Sequence, residues 1–150
     1  MLISVEKQRE IIFRNFYKLK KARYWTEEQR GQIYLGELEK VFWKERNRSS
    51  RGFAFPCVPK GKDEMKYIWI FIRLFYDDED LKLKRLIETI AHEFAHAWLY
   101  FKYEYPKNKE KKRCENNPEH DEKKREFKDY LMERLEEEEK KLIQRQGGTE

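Results

Sequence analysis

Residues 65–75 constrain the fold more than any other stretch: Ile68, Ile70, Ile72 and Leu74 alternate with Trp69, Phe71 and Phe75, giving a strand with two apolar faces that both need cover. Such a strand belongs inside a small antiparallel or mixed sheet with helices packed on it, which predicts an α+β domain. The 150 residues suit one domain with one core. Charged residues make up 42% of the chain and mean hydropathy is -1.09, values that would also suit disorder. The 15% aromatic content, with four Trp and ten Phe, argues for a folded chain instead. Uncharged runs such as 67–72 and 94–101 fall far short of the roughly 20 apolar residues a bilayer span needs, so no membrane partner is expected. Glu6 interrupts the N-terminus before an apolar signal-peptide core can form. With Cys57 and Cys114 the only cysteines, neither a disulfide framework nor a zinc ribbon is available, and an intracellular setting, cytoplasmic or nucleoid and nuclear, is expected.

The rest of the chain reads as helices around that strand. Ile12, Phe16, Leu19 and Arg23 recur at helical spacing over 5–24, with Ser4 as N-cap. Thr26 and Gln29 form a capping box that opens a second helix through Ile33, Leu38, Val41 and Phe42, weakened by Gly31 and Gly36 and ended by the polar stretch 47–52. Residues 1–50 are thus expected to be a helical N-terminal part. Residues 53–59 predict a short strand confined by its prolines to a sheet edge, followed by a turn at 60–63. An acidic run at 77–80 precedes a long helix to about residue 105, stopped by Pro106. Residues 107–117 predict a loop. Asn117 as cap and Pro118 as first helical residue open a last helix to about 145, and 146–150 should be a flexible tail.

The long middle helix carries the chemistry. His92-Glu93-Phe94-Ala95-His96 is an HExxH motif; residues four apart share a helical face, so the two imidazoles can reach one metal while Glu93 serves as base for an attacking water. At about 100° per residue, Leu83, Ile87, Ile90, Phe94, Ala97, Trp98 and Phe101 form an apolar stripe, with both histidines opposite its centre beside Arg85, Thr89 and Tyr103. One side packs and the other faces a site. Zinc in catalytic sites keeps three protein ligands. His120 is the remaining histidine and lies in line with Phe127 and Leu131, residues expected to pack inward. Glu115, Glu119, Glu122 and Cys114 are the alternative third ligands. Leu99 and Lys102 stand where the extended motif HExxHxxGxxH requires Gly and His, which excludes that class.

The strand ending in Ile72-Arg73-Leu74, the acidic turn, and the run Leu86-Ile87-Glu88-Thr89-Ile90-Ala91-His92-Glu93-Phe94-Ala95-His96-Ala97 resemble the core of SprT-like zinc metalloproteases, with the third histidine opening a later helix. The resemblance covers about residues 53–135. It differs at Asp121, where that family usually has Gly, and in lacking a zinc ribbon. It implies a single compact zincin-like domain over 1–150, with N-terminal helices, an HExxH helix and a long C-terminal helix. It also implies zinc-dependent peptide-bond hydrolysis, often of DNA-associated or DNA-crosslinked proteins.

The net charge of +5 bears on that last implication. Residues 1–66 hold 16 Lys and Arg against 9 Asp and Glu, whereas 67–106 hold 5 against 7 and 107–150 hold 13 against 13. Within the basic part, Lys18, Lys20, Lys21 and Arg23 adjoin Tyr24 and Trp25, and Lys44, Arg46, Arg48 and Arg51 flank Trp43 and Phe53. Cations interleaved with aromatics suit single-stranded DNA; cations near helix C-termini are equally explained by the macrodipole. The reading from sequence is a zinc metalloendopeptidase with His92, His96 and His120 as ligands, Glu93 as base and a protein or peptide as substrate. The oxyanion partner is open among Tyr100, Tyr103, Tyr105 and Arg113. Its rivals are a regulatory metallopeptidase that cleaves one repressor-like partner, and a nucleic-acid-binding module with structural zinc.

Overall fold

The computed structural model describes residues 4–38, 51–75, 83–107 and 117–147. Along these the chain runs α1 (Val5–Lys20), α2 (Glu27–Gln32), β1 (Ile33–Leu38), β2 (Gly52–Cys57), β3 (Tyr67–Arg73), α3 (Leu83–Lys102) and α4 (Pro118–Gly147). The result is α+β, with a mixed sheet in the order β1-β3-β2. None of the described helices is long and apolar enough to cross a membrane.

β3 takes the central place because it alone offers a continuous β-branched face. Ile68, Ile70 and Ile72 are buried beneath α3 and α1, together with Ile87, Ile90 and Phe94 of α3 and Ile12, Phe16 and Leu19 of α1. The opposite face is covered less than the alternation predicts. Trp69 and Phe71 are half-buried there among Tyr34, Phe53 and Phe55, which stay exposed. β2 is the expected edge strand: it runs antiparallel to β3, with Phe53 opposite Phe71 and Phe55 opposite Trp69. A side unpaired among the described residues is what allows it to contain Pro56. Gly61, at φ 81°, makes the turn between the two.

The second helix is shorter than its periodicity suggests. Its capping box forms, with Thr26 Oγ1 accepting from Gln29 N and Gln29 Oε1 from Thr26 N. The helix then stops at Gln32, and Ile33–Leu38 becomes a strand parallel to β3, so the N-terminal 50 residues are not wholly helical. Two interactions distant in sequence override helical spacing. Ile33 pairs with Ile68 and is fully buried, and Gly36 faces Phe71, whose ring would collide with any Cβ at that position. Gly36 therefore marks a strand position crossed by an aromatic ring, not a weak point in a helix. Of the predicted extension, Val41 and Phe42 lie outside the described residues, as do the acidic run 77–80, the loop 108–116 and the tail 148–150.

α1 begins at Ser4, whose hydroxyl accepts from Lys7 N, and it ends before Arg23, which is exposed. Within it Gln8, fully buried, holds the chain just after β3: Nε2 donates to Phe75 O at 2.9 Å and Oε1 accepts from Phe75 N at 2.7 Å. The carboxamide thus stands in for the backbone of a further strand. Gln8→Ala leaves a buried N–H and C=O without these partners, and a loss of about 2 kcal/mol is expected in urea unfolding. A loss below a few tenths would show that other groups hold this chain end.

Candidate metal centre

α3 is long, buried on most of its circumference and anchored on both the sheet and α4, so side chains on its remaining face have fixed positions. His92 and His96 stand on that face one turn apart, with their Nε2 atoms 3.2 Å from each other. α4 supplies the third imidazole. Its first turn is set by Asn117, whose Oδ1 accepts from Glu119 N at 3.0 Å and His120 N at 3.4 Å. Phe127 and Leu131, in line with His120, are fully buried, so this face of α4 turns toward α3. His120 is 1% exposed, with ring centroids 4.6 Å from His92 and 4.3 Å from His96. The three residues offer ring nitrogens all within 4.8 Å of one another, a group that can hold a metal ion.

The donor set suits a small tetrahedral cation. Zinc–nitrogen bonds of 2.0–2.1 Å put ligand atoms about 3.3 Å apart in a tetrahedron, close to the spacing of the His92 and His96 nitrogens. His96 Nδ1 is buried without a partner among the described residues, while His120 Nε2 lies 3.2 Å from His92 O, the backbone contact that orients a ligating ring. Burial pushes the pKa of His92 down to about 4 and that of His96 to about 3, with positive charge on neighbouring histidines acting in the same direction. His120 is lowered as well, again first by burial. At neutral pH all three rings are therefore uncharged and keep the lone pair that metal binding requires.

Glu93 lies beside the cluster, 4% exposed, with Oε1 3.7 Å from His92 Nε2 and Oε2 without a partner among the described residues. Burial raises its pKa to about 8, opposed by the positive charge of Lys124. Its position depends on Gly52, a residue that sequence reasoning read only as the end of a polar stretch. A Cβ on Gly52 would come within 2.8 Å of Thr89 Cγ2 and 2.9 Å of Glu93 Cγ, so β2 can lie against α3 only because a glycine starts it. A cavity of about 440 Å³ opens here, lined by Arg51, Gly52, Arg85, Glu88, Thr89, His92, Glu93 and Lys124. The signal that could have exposed Gly52 is its place at the head of an edge strand, where a missing side chain often marks close backbone approach.

The other candidates fare unevenly. Glu119 is not at the histidines: its carboxylate accepts from Lys102 Nζ and Tyr103 Oη at the end of α3. Glu122 is exposed, and Cys114, Glu115 and Arg113 lie outside the described residues. Tyr100 lies nearly parallel to the His96 ring, with centroids 6.3 Å apart, and Tyr105 packs on Tyr100.

Among the expected nucleic-acid contacts, Trp25 needs correction. It is 4% exposed, donates from Nε1 to Leu19 O and packs on Phe94 and Phe127, so its ring belongs to the core and cannot stack on a base. Lys21 and Arg23 are exposed and Lys18 and Lys20 half-buried, with Lys20 Nζ 5.7 Å from the Tyr34 ring. Arg51 stacks on Phe75 at 3.8 Å and lines the cavity beside His92. Trp43, Lys44, Arg46 and Arg48 lie outside the described residues. No family model, curated protein or solved structure matches the chain.

These ionisations set the pH dependence of the metal-free protein. The unfolded chain protonates His92 and His96 near pH 6.5, whereas the folded site resists until about pH 4 and about pH 3, so stability falls as pH drops through that window. Glu93 acts oppositely: unfolded, it ionises near 4.5, and folded, it keeps its proton to about pH 8, so its contribution is lost as pH rises between these values. Below pH 6.5 the His92 and His96 contributions together outweigh that of Glu93, and toward pH 8 the Glu93 contribution continues to fall. Wild type should lose about 2 kcal/mol more than Glu93→Gln between pH 6.5 and 8 in urea titrations with chelator present. Parallel curves for the two proteins would mean that Glu93 is not buried as described.

Proposed function

We propose that the protein is a zinc-dependent metallopeptidase with a zincin-like site, as its resemblance to SprT-like enzymes implies. The observation that carries this reading is the convergence of His120 from α4 on the His92–His96 pair, with the Glu93 carboxyl of the same motif buried at the cavity beside them. Three neutral imidazoles suit zinc among the common cations, and a three-ligand set leaves a coordination position for chemistry, whereas structural zinc sites close with four protein ligands. What favours the enzyme over a structural-zinc module is Glu93, a carboxyl at the motif's base position that is buried beside the three histidines. Bound there, zinc supplies Lewis acidity toward the scissile carbonyl and makes an attacking water more acidic. Glu93, whose Oε2 is uncommitted, takes the water's proton and passes it to the leaving amine. β2, an edge strand packed on α3, offers backbone groups to an extended peptide. The burial of Trp25 removes one of the aromatic rings expected to stack on single-stranded DNA.

The zinc-loaded protein should contain about one metal per chain and cleave an unstructured protein such as casein. Glu93→Gln should keep the metal and lose turnover by about 100-fold or more, since an amide cannot accept the proton. His120→Ala should weaken zinc binding by about 10-fold or more. Wild-type cleavage by Glu93→Gln would remove Glu93 as base, and full zinc retention by His120→Ala would remove His120 as ligand. Cleavage that depends on added single-stranded DNA would instead favour DNA-associated substrates.

A further inference from the structure

The cavity beside His92 and Glu93 is lined by three cations, Arg51, Arg85 and Lys124, against two carboxylates, Glu88 and Glu93. Glu88 is already engaged by Lys128, whose Nζ lies 2.8 Å from its Oε1. Nor is Thr89 free to receive a ligand through its hydroxyl proton, which goes to Arg85 O at 2.8 Å. Arg85 is exposed and Lys124 half-buried, and neither makes a side-chain hydrogen bond or ion pair with the described residues. Lys124 lies one turn beyond His120 on α4, so it shares the face that carries the third imidazole. Arg51 is fixed across the cavity by stacking on Phe75. A volume of about 440 Å³ holds one or two side chains of a peptide, and the proposed base is among its lining residues. Arg85 and Lys124, converging on one cavity without a side-chain hydrogen bond or ion pair among the described residues, attract a planar anion by charge-assisted hydrogen bonds.

We infer that this cavity is a specificity pocket for a substrate carboxylate adjoining the scissile bond, donated by an acidic side chain or by the free C-terminus of the substrate. The inference rests on the metallopeptidase reading. A side-chain carboxylate gives an endopeptidase with acidic preference; a chain-end carboxylate gives removal of C-terminal residues. Arg85 and Lys124 act here as substrate-binding residues, distinct from the metal ligands.

The test separates binding from cleavage. Zinc-loaded Glu93→Gln protein is titrated with fluorescent octapeptides that differ only by Glu or Gln beside a central Ala–Ala bond, and by a free or amidated C-terminus. One carboxylate-bearing peptide should bind about 10-fold more tightly than its amide counterpart, and the responsive pair identifies whether side chain or chain end is read. Arg85→Gln with Lys124→Met should bring that ratio close to one. The charge-reversed pair Arg85→Glu with Lys124→Glu should instead favour a Lys-bearing peptide, which no loss of folding can mimic. Equal binding of acid and amide, or a preference that survives both double variants, overturns the pocket. With Glu93 restored, failure to cleave any of the peptides while the acid preference persists overturns the peptidase reading and leaves the carboxylate pocket in place. An equal fall in kcat for acid and amide peptides on Lys124→Met, with no change in their ratio of KM, would put Lys124 at the reacting carbonyl and overturn its role here.

Discussion

The packing of α4 on α3 through aromatic rings is the interaction on which the site depends. Trp25, from the turn after α1, lies with its ring centroid 5.6 Å from both Phe94 of α3 and Phe127 of α4, and its indole N–H is satisfied by Leu19 O. Phe94 also meets Phe16 of α1 at 5.2 Å, and Tyr24 meets Phe127 at 4.9 Å. Each buried ring removes a large apolar surface from water, and contacts at these separations add about 0.5–1.5 kcal/mol apiece beyond burial. Three helices are thereby locked at one point. Phe94 lies between the two motif histidines in sequence, and Phe127 lies two turns beyond His120. The cluster that closes the core therefore also determines how far apart the imidazoles stand.

Polar contacts complete what the rings begin. The Asn117 cap fixes where α4 starts, and Lys102 and Tyr103 at the end of α3 hold Glu119 in the first turn of α4, next to His120. On the other side of α3, Gly52 lets β2 approach Glu93 closely enough to exclude water. Neutral histidines and an uncharged buried carboxyl are an unfavourable combination in a chain without metal, since His120 and Glu93 are held out of water. A divalent charge at the cluster would reverse that balance by favouring the carboxylate form of Glu93. The site thus has the character of one whose stability and ionisation are set by what it binds.

Much of this was legible in the sequence because it is local. The caps at Ser4, Thr26 and Asn117, the HExxH spacing, the edge strand with its prolines and the alternation of β3 each follow from neighbours within a few residues. His120 was legible by the same logic, since Phe127 and Leu131 share its helical face and both are buried. What could not be read depends on partners far along the chain. β1 exists because Ile33 and Gly36 meet Ile68 and Phe71 across the sheet, and nothing near Gly36 announces that ring. The importance of Gly52 lies in a contact with α3. Trp25 was misleading for a related reason: its neighbours in sequence are cations, while its neighbours in space are core aromatics.

The proposed chemistry requires that three histidines from two helices bind one metal ion. X-ray absorption at the zinc edge of the dialysed, zinc-loaded protein tests it most directly, because it reports ligand type and distance without regard to activity. One tightly held zinc with three imidazole nitrogens at about 2.0–2.1 Å and no sulfur is expected. A sulfur shell near about 2.3 Å, a spectrum with only two imidazoles, or zinc lost on dialysis would contradict it.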